Sequence, residues 1–111
     1  MTTLASQNCT RVSPDTVSIN DTEISTYLKE LKSLWQMLSD KSSINRQLSF
    51  DNFYETMAFV NAAAEIAHQQ NHHPDMHIGY NYCNITFTTH SINGLSLKDF
   101  ICAAKINEIS A

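Results

Sequence analysis

Ile24, Tyr27, Leu28, Leu31 and Leu34 recur at steps of three and four, the spacing of one face of an amphipathic helix. A helix is therefore predicted from Asp21, with Asp21 or Thr22 as its cap. Residues 35–38 and 44–50 bracket a polar turn at 39–43 and read as a hairpin, Ile44, Leu48 and Phe50 sharing strand parity. Asp51 stands where the N-cap of a second helix belongs, and Phe53, Met57, Val60, Ala64 and Ala67 carry its stripe through Ala-rich sequence. That helix is predicted to stop at 71–73, because Pro74 pushes the residue before it out of the helical region. Two strands follow: 77–82, with Ile78, Tyr80 and Tyr82 on one face, and 83–89, with Ile85 and Phe87 facing inward. After a loop at 91–95, Ser96-Leu-Lys-Asp99 has the form of a capping box with Asp in place of Glu, and Leu97, Phe100, Ile101 and Ala104 open a third helix. Trp35, Phe53, Phe59, Phe87 and Phe100 are expected in the core.

Hairpins separated by helices favour antiparallel pairing, since each parallel pair would need a crossover. The predicted fold class is α+β: a two-layer, four-stranded antiparallel sheet with helices packed on one face, in the order α-β-β-α-β-β-α. A chain of 111 residues fits one domain, here 21–111. Residues 1–20 are rich in Ser, Thr and Asn without a hydrophobic period and read as a flexible leader.

Composition narrows the class. With 42% hydrophobic residues, two Gly and two Pro, the chain is neither collagen-like nor linker-like. No apolar run approaches the ~20 residues of a membrane span, and the N-terminus has no apolar secretion segment, so a cytoplasmic protein without a membrane partner is expected. The formal charge is -4, and no Lys or Arg lies between Arg46 and Lys98 while Asp51, Glu55, Glu65 and Asp75 do, which argues against direct nucleic-acid binding. Cys9, Cys83 and Cys102 form no CxxC pair and read as reduced thiols.

All five histidines, His68, His72, His73, His77 and His90, fall within 68–90. Three readings are open. They could be ordinary surface or core residues. His68 and His72 have the i, i+4 spacing of a helical zinc pair, but Gln69 stands where HExxH places its Glu, and no Cys is suitably placed. The third reading is acid-base chemistry, for which imidazole is suited near neutral pH. A helix exit at His72 and His73 and a strand exit at His90 could face one cleft, and the negative end of a helix favours imidazolium.

The run His68-Gln-Gln-Asn-His72-His73-Pro74, five residues to Tyr80, nine more to His90 and eight more to Asp99 resembles the pattern of the pterin-4a-carbinolamine dehydratases. Trp35, Arg46, Phe50, Phe53, Phe59, Thr89, Gly94-Leu95-Ser96 and Phe100 resemble family positions as well, so the likeness runs from about Thr22 to Asn107. The resemblance implies a cytoplasmic enzyme that dehydrates 4a-hydroxytetrahydropterin, the product of an aromatic amino acid hydroxylase, to quinonoid dihydropterin. It implies no cofactor and no metal, pterin being the substrate. Carried over, His72, His73 and His90 match the catalytic histidines; His72 and His90 are expected to exchange protons with the substrate while His73 positions it. Asn71, Thr88, Thr89 and Ser91 join them as substrate-binding residues. His68 and Tyr80 are expected to support the site, His68 replacing a carboxylate found in many members, which predicts weaker activity at acidic pH. The family implies a homodimer or homotetramer and a functional link to phenylalanine hydroxylase. The alternative is a pterin-binding or dimerisation/coactivator module without important catalysis.

Overall fold

The computed structural model describes residues 3–9, 18–38 and 42–110. Three helices, α1 (Asp21–Glu30), α2 (Phe53–Gln70) and α3 (Leu97–Ile109), and four strands, β1 (Gln36–Met37), β2 (Ile44–Ser49), β3 (Asp75–Ile78) and β4 (Tyr82–Phe87), follow in the predicted order. The sheet is antiparallel with strand order β1-β2-β4-β3. Ile44, Leu48, Cys83, Ile85 and Phe87 alternate inward to the shared core, whereas the intervening Asn45, Gln47, Asn84 and Thr86 are polar and lie outside it. The α+β architecture expected from the periodicities is the one observed.

Local differences have local causes. α1 is capped by Asn20, whose side chain accepts from the Glu23 N–H (2.8 Å) while the Glu23 carboxylate accepts from the Asn20 N–H (3.3 Å). Asn52 likewise caps α2 through the Glu55 N–H (2.8 Å). An N-cap oxygen must reach the amide of the second or third helical residue, so Asp21 and Thr22 lie inside their helix and Asp51 one residue too early.

The buried face of α2 is Thr56, Phe59, Val60, Ala63, Ala67 and Gln70, rotated from the predicted stripe. Phe53 is 48% exposed and Ala64 is exposed. Polar residues occupy the core face because they are satisfied there. The Thr56 hydroxyl lies 2.9 Å from both the Asn52 and the Tyr80 carbonyl, and the Gln70 amide oxygen accepts from the Cys9 N–H (2.6 Å).

Of the segment expected as a leader, residues 10–17 lie outside the described residues. Residues 3–9 run across all three helices: the Leu4 N–H donates to Glu30 of α1 (2.6 Å), Gln70 of α2 holds Cys9, and Lys105 of α3 donates to the Ala5 carbonyl (2.7 Å). Leu4 and Cys9 are buried in the core. The polar tract at 39–41 in the β1–β2 connection is likewise outside the described residues, and no described helix is long and apolar enough to cross a membrane.

One polar knot joins sheet and helix. The Asn107 side-chain oxygen accepts from both Trp35 Nε1 (2.8 Å) and Arg46 Nη1 (2.7 Å), and its Nδ2 donates to the Leu31 carbonyl (3.0 Å). Asn107→Ala strands these part-buried partners and is expected to cost about 2 kcal/mol, read as a lowered midpoint in urea denaturation followed by Trp35 fluorescence.

Candidate active site

The end of α2 aims the first histidine pair. Asn71 adopts the left-handed conformation (φ 50°, ψ 42°), its N–H and that of His72 returning to the carbonyls of the last helical turn. Pro74 keeps the chain extended into β3. Because Asp75 pairs with Thr86, residues 71–74 lie at the same end of the sheet as residues 87–90. The start of α3 joins them through Thr89, which also bridges to Gly94.

His72 is the anchored histidine. Its Nε2 is 2.7 Å from Asp99 Oδ1, its side chain is 11% exposed and that of Asp99 0%. The imidazole stacks on Phe87, centroids 6.0 Å apart and planes 8° apart. The other Asp99 oxygen accepts from Thr89 Oγ1 (2.8 Å) and from the Ser96 N–H (2.9 Å), and the Thr89 and Ser96 hydroxyls are 2.7 Å apart. Asp99 thus closes the capping box of α3 with one oxygen and faces His72 with the other. Ionised, a carboxylate only accepts, so His72 presents Nε2–H to it and leaves Nδ1 as the proton acceptor.

His73, His90, Asn71 and Ser91 are exposed at this end of the fold. His90 opens a single-turn 3-10 helix (His90–Ile92) immediately after Thr89. Thr88 and Thr89, expected at the substrate, use their hydroxyls internally: Thr88 donates to the Ser42 carbonyl (2.5 Å), and Thr89 is buried in the Asp99 network. Tyr80 is not brought to the histidines. β3 spans 75–78 rather than 77–82, so Tyr80 falls in the turn at the opposite end of the β3–β4 hairpin, 65% exposed and stacked on Phe53 at 6.3 Å. In that turn a Cβ at Gly79 would run into the Tyr82 ring as it is placed, so the glycine lets the ring lie against the backbone.

His68 lies exposed in the last turn of α2, its side chain without a hydrogen bond among the described residues. The carboxylate facing His72 is Asp99, which the sequence marks as a helix cap and as part of the family-like spacing, without a role at the histidines. His68→Glu is accordingly expected to keep dehydratase activity within about threefold across pH 6–8, the scale of one solvent-screened charge. Stopped-flow rates over that range check this against the stronger acid sensitivity expected from the sequence. Among the described residues no three His, Cys, Asp or Glu side chains are grouped to hold a metal ion.

Residues 17–109 match the family described as Pterin 4 alpha carbinolamine dehydratase. A Legionella pneumophila (strain Lens) protein named "Putative pterin-4-alpha-carbinolamine dehydratase" is 48% identical over 106 residues, covering 96% of this chain and 94% of its own. A Nitrosomonas eutropha protein of the same name is 46% identical, covering 94% and 90%. Among solved structures, a "transcriptional coactivator/pterin dehydratase" of Brucella melitensis superposes with a TM-score of 0.81 at 30% identity, covering 86% of this chain and all of that one. The fold and the histidine-bearing end thus define a dehydratase-like α+β protein. The chain belongs to the pterin-4-alpha-carbinolamine dehydratase family.

Proposed function

We propose that the protein converts 4a-hydroxytetrahydropterin to quinonoid dihydropterin and water by histidine acid-base catalysis. The observation that carries this reading is the His72–Asp99 pair, 2.7 Å long and closed behind by Thr89 and Ser96. A buried anion that fixes an imidazole is suited to a base whose protonated form must be stabilised as it appears. His72 takes the proton from pterin N5, the C4a–O bond breaks, and His90 gives a proton to the departing hydroxyl, so one water is lost. His73, exposed beside His72, positions the planar substrate with Asn71 and Ser91. No organic cofactor or metal enters this scheme.

The enzyme works in the cytoplasm as a homodimer or homotetramer, drawing its substrate from a hydroxylase such as phenylalanine hydroxylase. Open sheet edges at β1 and β3 favour self-association.

The test is the decay of 4a-hydroxytetrahydropterin, generated in place by phenylalanine hydroxylase and followed by stopped flow with and without the protein. Acceleration that survives chelator treatment and falls in His90→Ala is expected. A folded protein that binds pterin without accelerating the decay would overturn the catalytic reading in favour of a binding or coactivator module.

A further inference from the structure

Cys9 and Cys102 are far apart in sequence, yet their sulfurs lie 3.6 Å apart in the core. Both are buried free thiols. Cys9 belongs to the segment that crosses the helices, and Cys102 to α3, one turn after Asp99. Cys9 Sγ also lies 3.6 Å from the Lys98 carbonyl, so the sulfur pair abuts the turn of α3 that supplies the carboxylate to His72.

We propose that Cys9 and Cys102 are a redox modification site, oxidised by a hydroperoxide to a disulfide that fastens residues 3–9 to α3. The two sulfurs divide the work. The hydrogen bond with Cys102 lowers the Cys9 thiol below its ordinary range, against the opposing effect of burial. The same bond, together with burial, pushes Cys102 up. Cys9 is assigned as the attacking sulfur and Cys102 as the resolving thiol.

In the first step the Cys9 sulfur attacks the peroxide: an S–O bond forms, the O–O bond breaks, and the departing oxygen leaves as water or alcohol after taking a proton. The Cys9 sulfur is oxidised by two electrons to a sulfenic acid and the peroxide is reduced. In the second step the Cys102 sulfur attacks Cys9 Sγ, the S–O bond breaks, and the hydroxide leaves as water with the Cys102 proton. A disulfide requires about 2.05 Å between sulfurs. The approach falls on Cys9, at the end of the segment 3–9 that lies across the helices, while Cys102 is held inside α3. Cys83, buried in β4 with its thiol pushed up by burial, has no sulfur partner among the described residues and stays reduced.

The experiment treats the reduced full-length protein with hydrogen peroxide, blocks remaining thiols with N-ethylmaleimide in denaturant, and reads the intact mass, the peptide map and the melting temperature. The expected product has the mass of a single chain less a pair of hydrogens, joins the Cys9 and Cys102 peptides without a covalent link between chains, and takes label only at Cys83. Closing so long a loop is expected to raise Tm by about 10 °C, reversed by dithiothreitol. Cys9→Ala and Cys102→Ala, each checked for folding by circular dichroism, are expected to lose the cross-link and the Tm increase, and Cys83→Ala to keep both. Label at Cys9 and Cys102 after peroxide, a cross-link through Cys83, or a cross-link between chains would each overturn the assignment. None of these readouts depends on dehydratase activity.

Discussion

His72→Ala is expected to lower the accelerated decay of 4a-hydroxytetrahydropterin by about 10²–10⁴-fold, the range for removing a positioned acid-base group. The large effect follows from how completely the fold commits to this ring. Phe87 supports one face, Asp99 fixes Nε2, and the left-handed Asn71 sets the direction in which the side chain leaves α2. Alanine removes the proposed proton acceptor and leaves the carboxylate behind it without its hydrogen-bond partner. His73, exposed and neighbouring in sequence, has no comparable anchor among the described residues and is not expected to substitute for it. Stopped-flow traces of a variant with native circular dichroism supply the check. A loss smaller than about threefold would remove His72 from the mechanism.

The second large effect falls on Asp99. Asp99→Ala is expected to destabilise the fold by about 3 kcal/mol, because one truncation strands the His72 ring, the Thr89 hydroxyl and the Ser96 amide at a fully buried position. Urea denaturation measures that loss. Asp99→Asn separates the structural from the electrostatic part. The amide keeps an acceptor for the cap and loses much less stability, but its NH₂ can meet His72 as a donor and so reverse the tautomer, exposing Nδ1–H where a base is needed. Activity is expected to fall by about 10²-fold or more while the protein stays folded. An Asp99→Asn variant that is folded and fully active would show that Asp99 serves α3 alone.

The element order, the antiparallel sheet and the end of α2 were legible in the sequence, because each rests on local physics. Alternation at 44–48 and 83–87 marks two strands, Pro74 stops a helix, and Ser96 with Asp99 closes a cap wherever the chain folds. Crowding of five histidines within 68–90 singled out the stretch of chain in which His72 and His73 leave α2 and His90 follows β4. The finer errors were of phase. The α2 stripe was counted from Phe53, whereas a satisfied Thr56 takes the core position, and β3 was placed two residues late, which carried Tyr80 toward a site it does not reach.

What only the tertiary structure decided is which groups meet. Asp99 reads in the sequence as a cap and as one point of a spaced pattern, and only when α3 packs beside the exit of α2 does its second oxygen prove to face His72 across 27 positions of sequence. Leu4 and Cys9 read as part of a polar leader until Glu30, Gln70 and Lys105, each from a different helix, hold the segment down. Periodicity reports which side of an element is buried, since that depends on neighbours a few residues away. Partners of a charge or a thiol are set by the packing of elements distant in sequence, and no local pattern carries that information.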